Sequence, residues 1–303
     1  MESFTLLGHA GANIRGYIYP PIGKARAVFQ ICHGMCEYIG RYEPFIAFLN
    51  SRGFLVIGHD HMGHGGSTAT EEELGYFGEN GAETLVLDTH AVSVYAGEHY
   101  PDLPLILMGH SMGSFVTRAY LERFGKELDG CIIMGTAGPN PGAAAGIAAA
   151  RLIARTRGAH YRSSTLQRMA FGSYNRKIKA PKSPSAWLTK DEAIVSAYDK
   201  DPYCNFLFTA AGFETLFTLL QHVSRPAWAG TVPKELPILM VAGAQDPVGD
   251  YGKGVRTVYD RLRAAGVRDI TLHLYPEGRH EILNEPEKQT VYEDIERWLE
   301  ERF

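Results

Sequence analysis

Ser111 stands in the run Gly109-His110-Ser111-Met112-Gly113, a G-x-S-x-G pattern between the apolar stretch 105–108 and a segment of helical character at 112–124. A nucleophilic serine needs that context: a strand that ends, a turn sharp enough to lift Oγ off the backbone, and a helix whose first amides point at the same spot. A strand ending in an ordinary Gly/Ser turn would look the same, so further groups must decide. A serine hydroxyl is a weak nucleophile until a base takes its proton and an acid orients that base. Four of the twelve histidines follow Ser111: His160, His222, His273 and His280. His160 and His222 fall in a long insertion and His273 lies inside the apolar run 270–275, which leaves His280 in the loop just past that run. Asp246 follows the run 238–242 in the same way, with Asp250 as the second candidate. The order Ser, Asp, His, each member just beyond a strand, predicts a triad of Ser111, Asp246 and His280. Two backbone amides are expected to form the oxyanion hole. Met112 opens the helix, and Met35 follows the early strand in Cys32-His33-Gly34-Met35, where Gly34 permits close approach.

These groups require a particular frame. Short apolar runs at 27–32, 54–58, 105–108, 131–134, 238–242 and 270–275 read as buried parallel strands. Helical stretches at 41–52, 81–98, 112–124 and 255–265 alternate with them, three of these closed by Gly53, Gly125 and Gly266. Residues 3–19, with a turn at Gly11-Ala12-Asn13, read as an opening hairpin. The result is an α/β fold with a mostly parallel central sheet flanked by helices. About a hundred residues separate the runs ending at 134 and starting at 238, where a connection normally takes roughly 2–6. The expected organisation is therefore a core of 1–136 and 231–303 with an inserted, mainly helical cap at 137–230. The cap holds an Ala-rich helix at 143–155, a basic, Pro-punctuated stretch at 176–184, and an apolar helical face of Phe213, Leu216, Phe217 and Leu220. That face suits core packing and pocket lining alike. Phe213 and Phe217, together with His33, Gly34 and His110 beside the reacting groups, are the expected substrate contacts.

Composition narrows the class. The chain has 303 residues, 45% hydrophobic and 21% charged, with a net charge of −4, enough for one large domain with an insertion. No platform of interleaved aromatic and basic residues offers itself to nucleic acid, and a polyanionic substrate is not expected. No apolar run approaches a membrane span, and the first residues lack the pattern of a secretory signal. Four cysteines make no disulfide framework and read as reduced thiols, so the expected location is cytoplasmic. A transient contact with a lipid surface is compatible with this composition, and oligomeric state is left open.

The run His33-Gly34-Met35-Cys36-Glu37-Tyr38-Ile39-Gly40-Arg41-Tyr42 resembles the H-G-M-x-E-H-x-x-R-Y signature of the monoacylglycerol lipase and lysophospholipase family of α/β-hydrolases. The elbow motif is similar to that family's G-H-S-M-G-G, and Asp246 and His280 match its late acid and base. Two departures stand out: Tyr38 replaces the usual histidine and Ser114 the last glycine. The resemblance implies an α/β-hydrolase fold and a serine carboxylester hydrolase without metal or organic cofactor. Its substrates would be monoacylglycerols, lysophospholipids or short acyl esters. The segment His59-Asp60-His61-Met62-Gly63-His64 has the look of a metal cluster, but it is similar to the family's D-x-x-G-H-G-x-S turn, and no metal site is expected there or at Cys32 and Cys36. Two other readings keep the scaffold. A prolyl-type aminopeptidase would use the same triad and carboxylates such as Glu192, Asp199 or Asp201 to hold an α-ammonium, and a non-catalytic ligand-binding protein would have lost a triad member.

Overall fold

The computed structural model describes residues 1–303. Eight strands form one sheet: β1 (Glu2–Leu7), β2 (Asn13–Tyr19), β3 (Ala27–Cys32), β4 (Phe54–His59), β5 (Leu105–His110), β6 (Gly130–Met134), β7 (Ile238–Gly243) and β8 (Ile270–Tyr275), in the order β1-β2-β4-β3-β5-β6-β7-β8. The first two form the hairpin, antiparallel to each other and to β4, and the remaining strands are parallel. Every residue of β3, β4, β6 and β7 is buried, because helices cover both faces of the parallel region. β8 departs from the expected buried strand: all six of its residues are half-buried, since it pairs only with β7 and forms the sheet edge.

Ten α-helices accompany the sheet: α1 (Glu43–Ser51), α2 (Gly81–His99), α3 (Met112–Phe124), α4 (Ala143–Arg157), α5 (Ser164–Phe171), α6 (Glu192–Lys200), α7 (Ala210–Ser224), α8 (Trp228–Thr231), α9 (Lys253–Ala264) and α10 (Lys288–Glu300). α1 and α10 pack Phe45, Leu49, Ile295 and Trp298 on one face of the sheet. α2, α3, α8 and α9 cover the other through residues such as Leu85, Val116, Trp228 and Val258. The expected helix at 41–52 is a 3₁₀ turn (Ile39–Tyr42) followed by α1, with Pro44 in the first turn.

Between β6 and β7 the chain builds α4 to α7 above the sheet. α4 and α7 lie together, and at Gly146 a Cβ would come within 2.8 Å of the Phe217 ring, so the glycine sets their approach. Buried Arg118 of α3 ties both ends of this insertion down, donating to Ala137 O at 2.9 Å and to Val223 O at 2.5 Å while its guanidinium lies 4.3 Å from the Trp228 ring centroid.

The strand order turns back between β3 and β5, and ligand crevices of open parallel sheets lie beyond the strand ends at such a switch point. Cys32 is in register with Gly109, so the loops that follow β3 and β5 emerge side by side.

Candidate active site

Ser111 sits at the β5–α3 junction with φ +54° and ψ −120°, a backbone conformation that L-residues rarely adopt. The turn is held by Ser111 N–H donating to Met134 O (3.1 Å) and by Ser114, whose amide and hydroxyl both donate to Ser111 O (2.9 and 2.6 Å). The serine at the place of the resemblance's last glycine therefore braces the elbow. Glycine is required on either side of the turn: a Cβ at Gly109 would stand 2.2 Å from Thr117 Oγ1, and one at Gly113 only 2.1 Å from Cys32 O.

His280 and Asp246 are both buried, and His280 Nδ1–H donates to Asp246 Oδ2 at 2.8 Å. Asp246 Oδ1 accepts the Val248 amide, also at 2.8 Å, so each carboxylate oxygen has its own partner. Asp250, the other candidate acid, is exposed. The loop carrying His280 is held by the cap. His280 N–H and Glu281 N–H donate to Trp187 O and Leu188 O, Arg279 donates to Ala186 O and Thr189 O, and the Trp187 ring lies 4.9 Å from the His280 ring. Ser111 and His280 line one cavity of about 680 Å³, and Met35 and Met112 line it beside them. Met112 is the first residue of α3, where the helix supplies no acceptor for its amide, and the Met35 amide has no protein partner. The loop after β3 and the elbow are in close contact, since a Cβ at Gly34 would lie 3.0 Å from Ser111 Cβ.

The histidine-rich segment after β4 supports that loop. The Met62 carbonyl lies 3.3 Å from His64 Nδ1, which makes Nε2 the acceptor for the Cys36 amide (3.2 Å). His33 Nε2 accepts from the His61 amide (2.9 Å), with Nδ1 directed at Gly34 O (2.8 Å). Burial pushes His61 and His64 down to about 4 and 3, and burial with the neighbouring rings lowers His33 as well, so all three are neutral imidazoles working as scaffold.

Behind the reacting groups lies a buried ionic network that sequence reasoning missed. Arg41 grips Glu281 through both oxygens (2.7 and 2.8 Å) and Glu37 at 3.1 Å. Glu37 also accepts from the Gly34 amide and from Tyr42 Oη (2.8 Å), and lies 3.2 Å from His110 Nδ1. Burial alone would raise Glu37 and Glu281, but His110 and Arg41 for the first and Arg41 for the second outweigh it and hold both carboxyls below their usual range. Burial likewise opposes the charged form of His110, yet the hydrogen bond and charge of Glu37 win and raise it. One network thus joins the loop after β3, the elbow and the His280 loop. Its signal was in plain view, because Glu37 and Arg41 belong to the quoted signature and Glu281 follows His280, but their meeting is a matter of tertiary structure.

Among the expected substrate contacts, His110 and Phe217 line the cavity. His33, Gly34 and Phe213 do not: the His33 ring is occupied by backbone groups, Gly34 is buried against Glu37 and Ser111, and Phe213 is fully buried against Phe171, Phe208 and Phe217. The cavity wall instead takes Phe115 and Val248, with Leu216, Leu220, Phe171 and Trp187 from the insertion between β6 and β7. Tyr38 reaches into the insertion, donating to Asp201 Oδ2 at 2.9 Å.

The family described as serine aminopeptidase, S33, matches residues 23–287. A monoacylglycerol lipase of Mycolicibacterium smegmatis is 29% identical over 99% of both chains, and human monoglyceride lipase is 30% identical over 94% of this chain and 86% of its own. Among solved structures, a thermostable carboxyl esterase from Bacillus coagulans, in complex with glycerol, superposes with a TM-score of 0.94 at 31% identity, covering 99% of this chain and 98% of that one.

Proposed function

This chain belongs to the serine aminopeptidase S33 family of α/β-hydrolases and is a serine ester hydrolase, and from that premise we infer that it cleaves monoacylglycerols through an acyl-enzyme on Ser111. The observation that carries this reading is the cavity of about 680 Å³, lined mostly by apolar residues, with Ser111 and His280 on its wall and Asp246 bonded to His280 behind them. Apolar walls suit a fatty acyl chain, while Glu37, Glu281 and Asn205 on the same cavity offer polar partners to a hydroxylated leaving group. Relatives named monoacylglycerol lipase support the same substrate class.

The chemistry follows from the groups present. Ser111 Oγ attacks the ester carbonyl while His280 Nε2 takes its proton, and the Met35 and Met112 amides receive the developing oxyanion. The tetrahedral intermediate collapses, the C–O bond breaks, and His280 returns the proton to the departing glycerol oxygen. Water then adds to the acyl-enzyme with His280 as base again, releasing the fatty acid and restoring Ser111. Asp246 holds His280 with its proton on Nδ1, leaving Nε2 free to act, and stabilises the imidazolium.

Recognition of a peptide's α-ammonium is less well supported. Glu192, Asp199 and Asp201 do not line the cavity, and they engage Lys182, Ser183 and Tyr38 respectively. Glu37 and Glu281 do line it, but Arg41 and His110 already balance their charge.

Initial rates on p-nitrophenyl acetate, butyrate, octanoate and palmitate and on 1-monooleoylglycerol, with Ser111→Ala in parallel, test this. The expected result is hydrolysis of the monoacylglycerol and of the longer esters, with Ser111→Ala slower by about 10³-fold or more. Wild-type inactivity on every ester, or an Ala variant that keeps its rate, overturns the reading and favours an amino-acyl substrate or a binding role.

A further inference from the structure

Burying a cation is costly unless an anion balances it, and Arg118 is buried with no carboxylate among its partners. Its Nη1 donates to Ala137 O (2.9 Å) and to Thr136 Oγ1 (3.3 Å), its Nη2 donates to Val223 O (2.5 Å), and its Nε has no partner. Burial, with the neighbouring Arg261, lowers its pKa to about 9, so the group is still charged at neutral pH. An apolar side chain of similar volume would occupy the same space at less cost. The guanidinium is therefore better explained by what its fork holds than by the stability it adds.

What it holds is the frame of the insertion. Ala137 lies at the start of the segment between β6 and β7, and Val223 lies in the last turn of α7, where helix carbonyls have no partner within the helix. Arg261 of α9 takes the next carbonyl, Ser224 O (2.8 Å), and Ser224 Oγ reaches Gly138 O at 3.4 Å. Trp228, where the chain turns back towards β7, donates its indole N–H to Arg118 O (2.7 Å) and sets its ring 4.3 Å from the guanidinium. Positions 137, 223 and 228 thus meet at one residue of α3. The same helix starts directly after Ser111, and Phe115, one turn before Arg118 on the same face, lines the cavity together with Ala137 and with Leu216, Phe217 and Leu220 of α7. The clasp therefore fixes the α7 wall of the cavity relative to the helix that presents the nucleophile.

We propose that Arg118 is a positioning residue that determines acyl-chain specificity: by holding Ala137 and Val223 to α3 it sets the width of the cavity in which a long acyl chain is gripped. The proposal rests on the acyl-ester reading for its substrate and adds the residue that sets chain length. Without the fork, the carbonyls at 137 and 223 lose their buried donors and α7 shifts from α3 to find others. A long acyl chain then loses contact with Leu216, Phe217 and Leu220, whereas an acetyl group, with one carbon beyond its carbonyl, has little contact to lose.

The test is Arg118→Lys, which keeps a cation but replaces the fork by a single nitrogen, beside Arg118→Met, which removes both. KM for p-nitrophenyl octanoate should rise about tenfold in Arg118→Met, the binding of one or two methylenes, and less in Arg118→Lys. In both variants kcat on either ester, and KM for p-nitrophenyl acetate, should stay within about threefold of wild type. Calorimetric titration of butanoate, octanoate and dodecanoate into Ser111→Ala, with and without Arg118→Lys, reads the same effect without turnover: the gain in affinity per added methylene should be smaller without the fork. Equal losses on acetate and octanoate, as a general weakening of the fold would give, or a chain-length profile identical to wild type, overturn the proposal. Should Arg118→Met not fold, Arg118→Lys carries the comparison. If the wild type hydrolyses no ester, the hydrolase reading falls and the titrations still decide on Arg118, since an unchanged slope, or no binding of any chain, overturns its role.

Discussion

Replacing Asp246 by Asn isolates the orientation of His280 from everything else in the site. The substitution keeps the shape of a fully buried side chain and removes only its charge and one acceptor. Two N–H donors face the carboxylate, Val248 N at Oδ1 and His280 Nδ1 at Oδ2, each at 2.8 Å. A carboxamide has one oxygen, so it satisfies only one of them. The Val248 amide is backbone and cannot change its role, whereas imidazole can move its proton. The Asn oxygen therefore takes the Oδ1 place and its NH₂ faces Nδ1, which forces His280 to carry its proton on Nε2. In that tautomer Nε2, the nitrogen proposed to act as base, is a donor and cannot accept the hydroxyl proton. The expected loss in kcat is about 10⁴-fold, which corresponds to roughly 5.5 kcal/mol of barrier. The assay is steady-state hydrolysis of p-nitrophenyl butyrate by Asp246→Asn beside Asp250→Asn, with thermal unfolding of both. Asp250→Asn should stay within about twofold of wild type, because that side chain is exposed. An Asp246→Asn enzyme within tenfold of wild type and equally stable, or a large loss on Asp250→Asn, would refute the tautomer argument.

Other outcomes follow from the packing. Gly113→Ala places a methyl group 2.1 and 2.4 Å from the carbonyl oxygens of Cys32 and His33, both backbone, so the elbow must retreat from β3. Its kcat/KM should fall by 10² or more, as about 1 Å of misplacement can cost, and a change under threefold would contradict this. Gly97→Ala, at an exposed position of α2 with nothing within 4 Å of its Cβ, should instead gain about 0.5–1 kcal/mol in urea unfolding. Arg41→Met leaves the Glu37 and Glu281 carboxylates buried without their cation and should cost about 3–5 kcal/mol by the same measurement, with a loss under 1 kcal/mol counting against the network. The pH dependence has a definite sign. Glu37 and Glu281 are depressed in the folded protein, so their contribution is present above the unfolded carboxyl pKa near 4.5 and is lost as pH falls through their lower folded values. His110 is raised, so its share is full below about 6.5 and fades as pH climbs through its folded value. Stability contributed by the network should therefore be greatest between about pH 4.5 and 6.5. In Arg41→Met, burial without the cation disfavours the carboxylates, and the slope between pH 7 and 5 should shift toward gaining stability on acidification.

The amino-acid sequence by itself determined the parallel strands, because a strand covered on both faces must be apolar at nearly every position, as in β3 and β7. It also made the candidate groups legible. Glycines that permit a tight elbow, and an acid and a base just past strand ends, are local patterns written in covalent spacing. Edge or centre is not local, so β8 resembled its neighbours in composition yet has only β7 beside it. The same holds for one helical face: Phe213 and Phe217 are a turn apart, but only the packing of α4, α5 and α7 sends the first into the core and leaves the second on the cavity. The histidines after β4 acquired their role from facing the loop after β3 rather than from their spacing. Arg41 and Glu281 are 240 residues apart, and Trp187 meets His280 only because the cap folds back over the sheet. Contacts of that separation depend on where whole elements come to rest, which burial of apolar surface and pairing of buried charge decide together, and only the tertiary structure records the result.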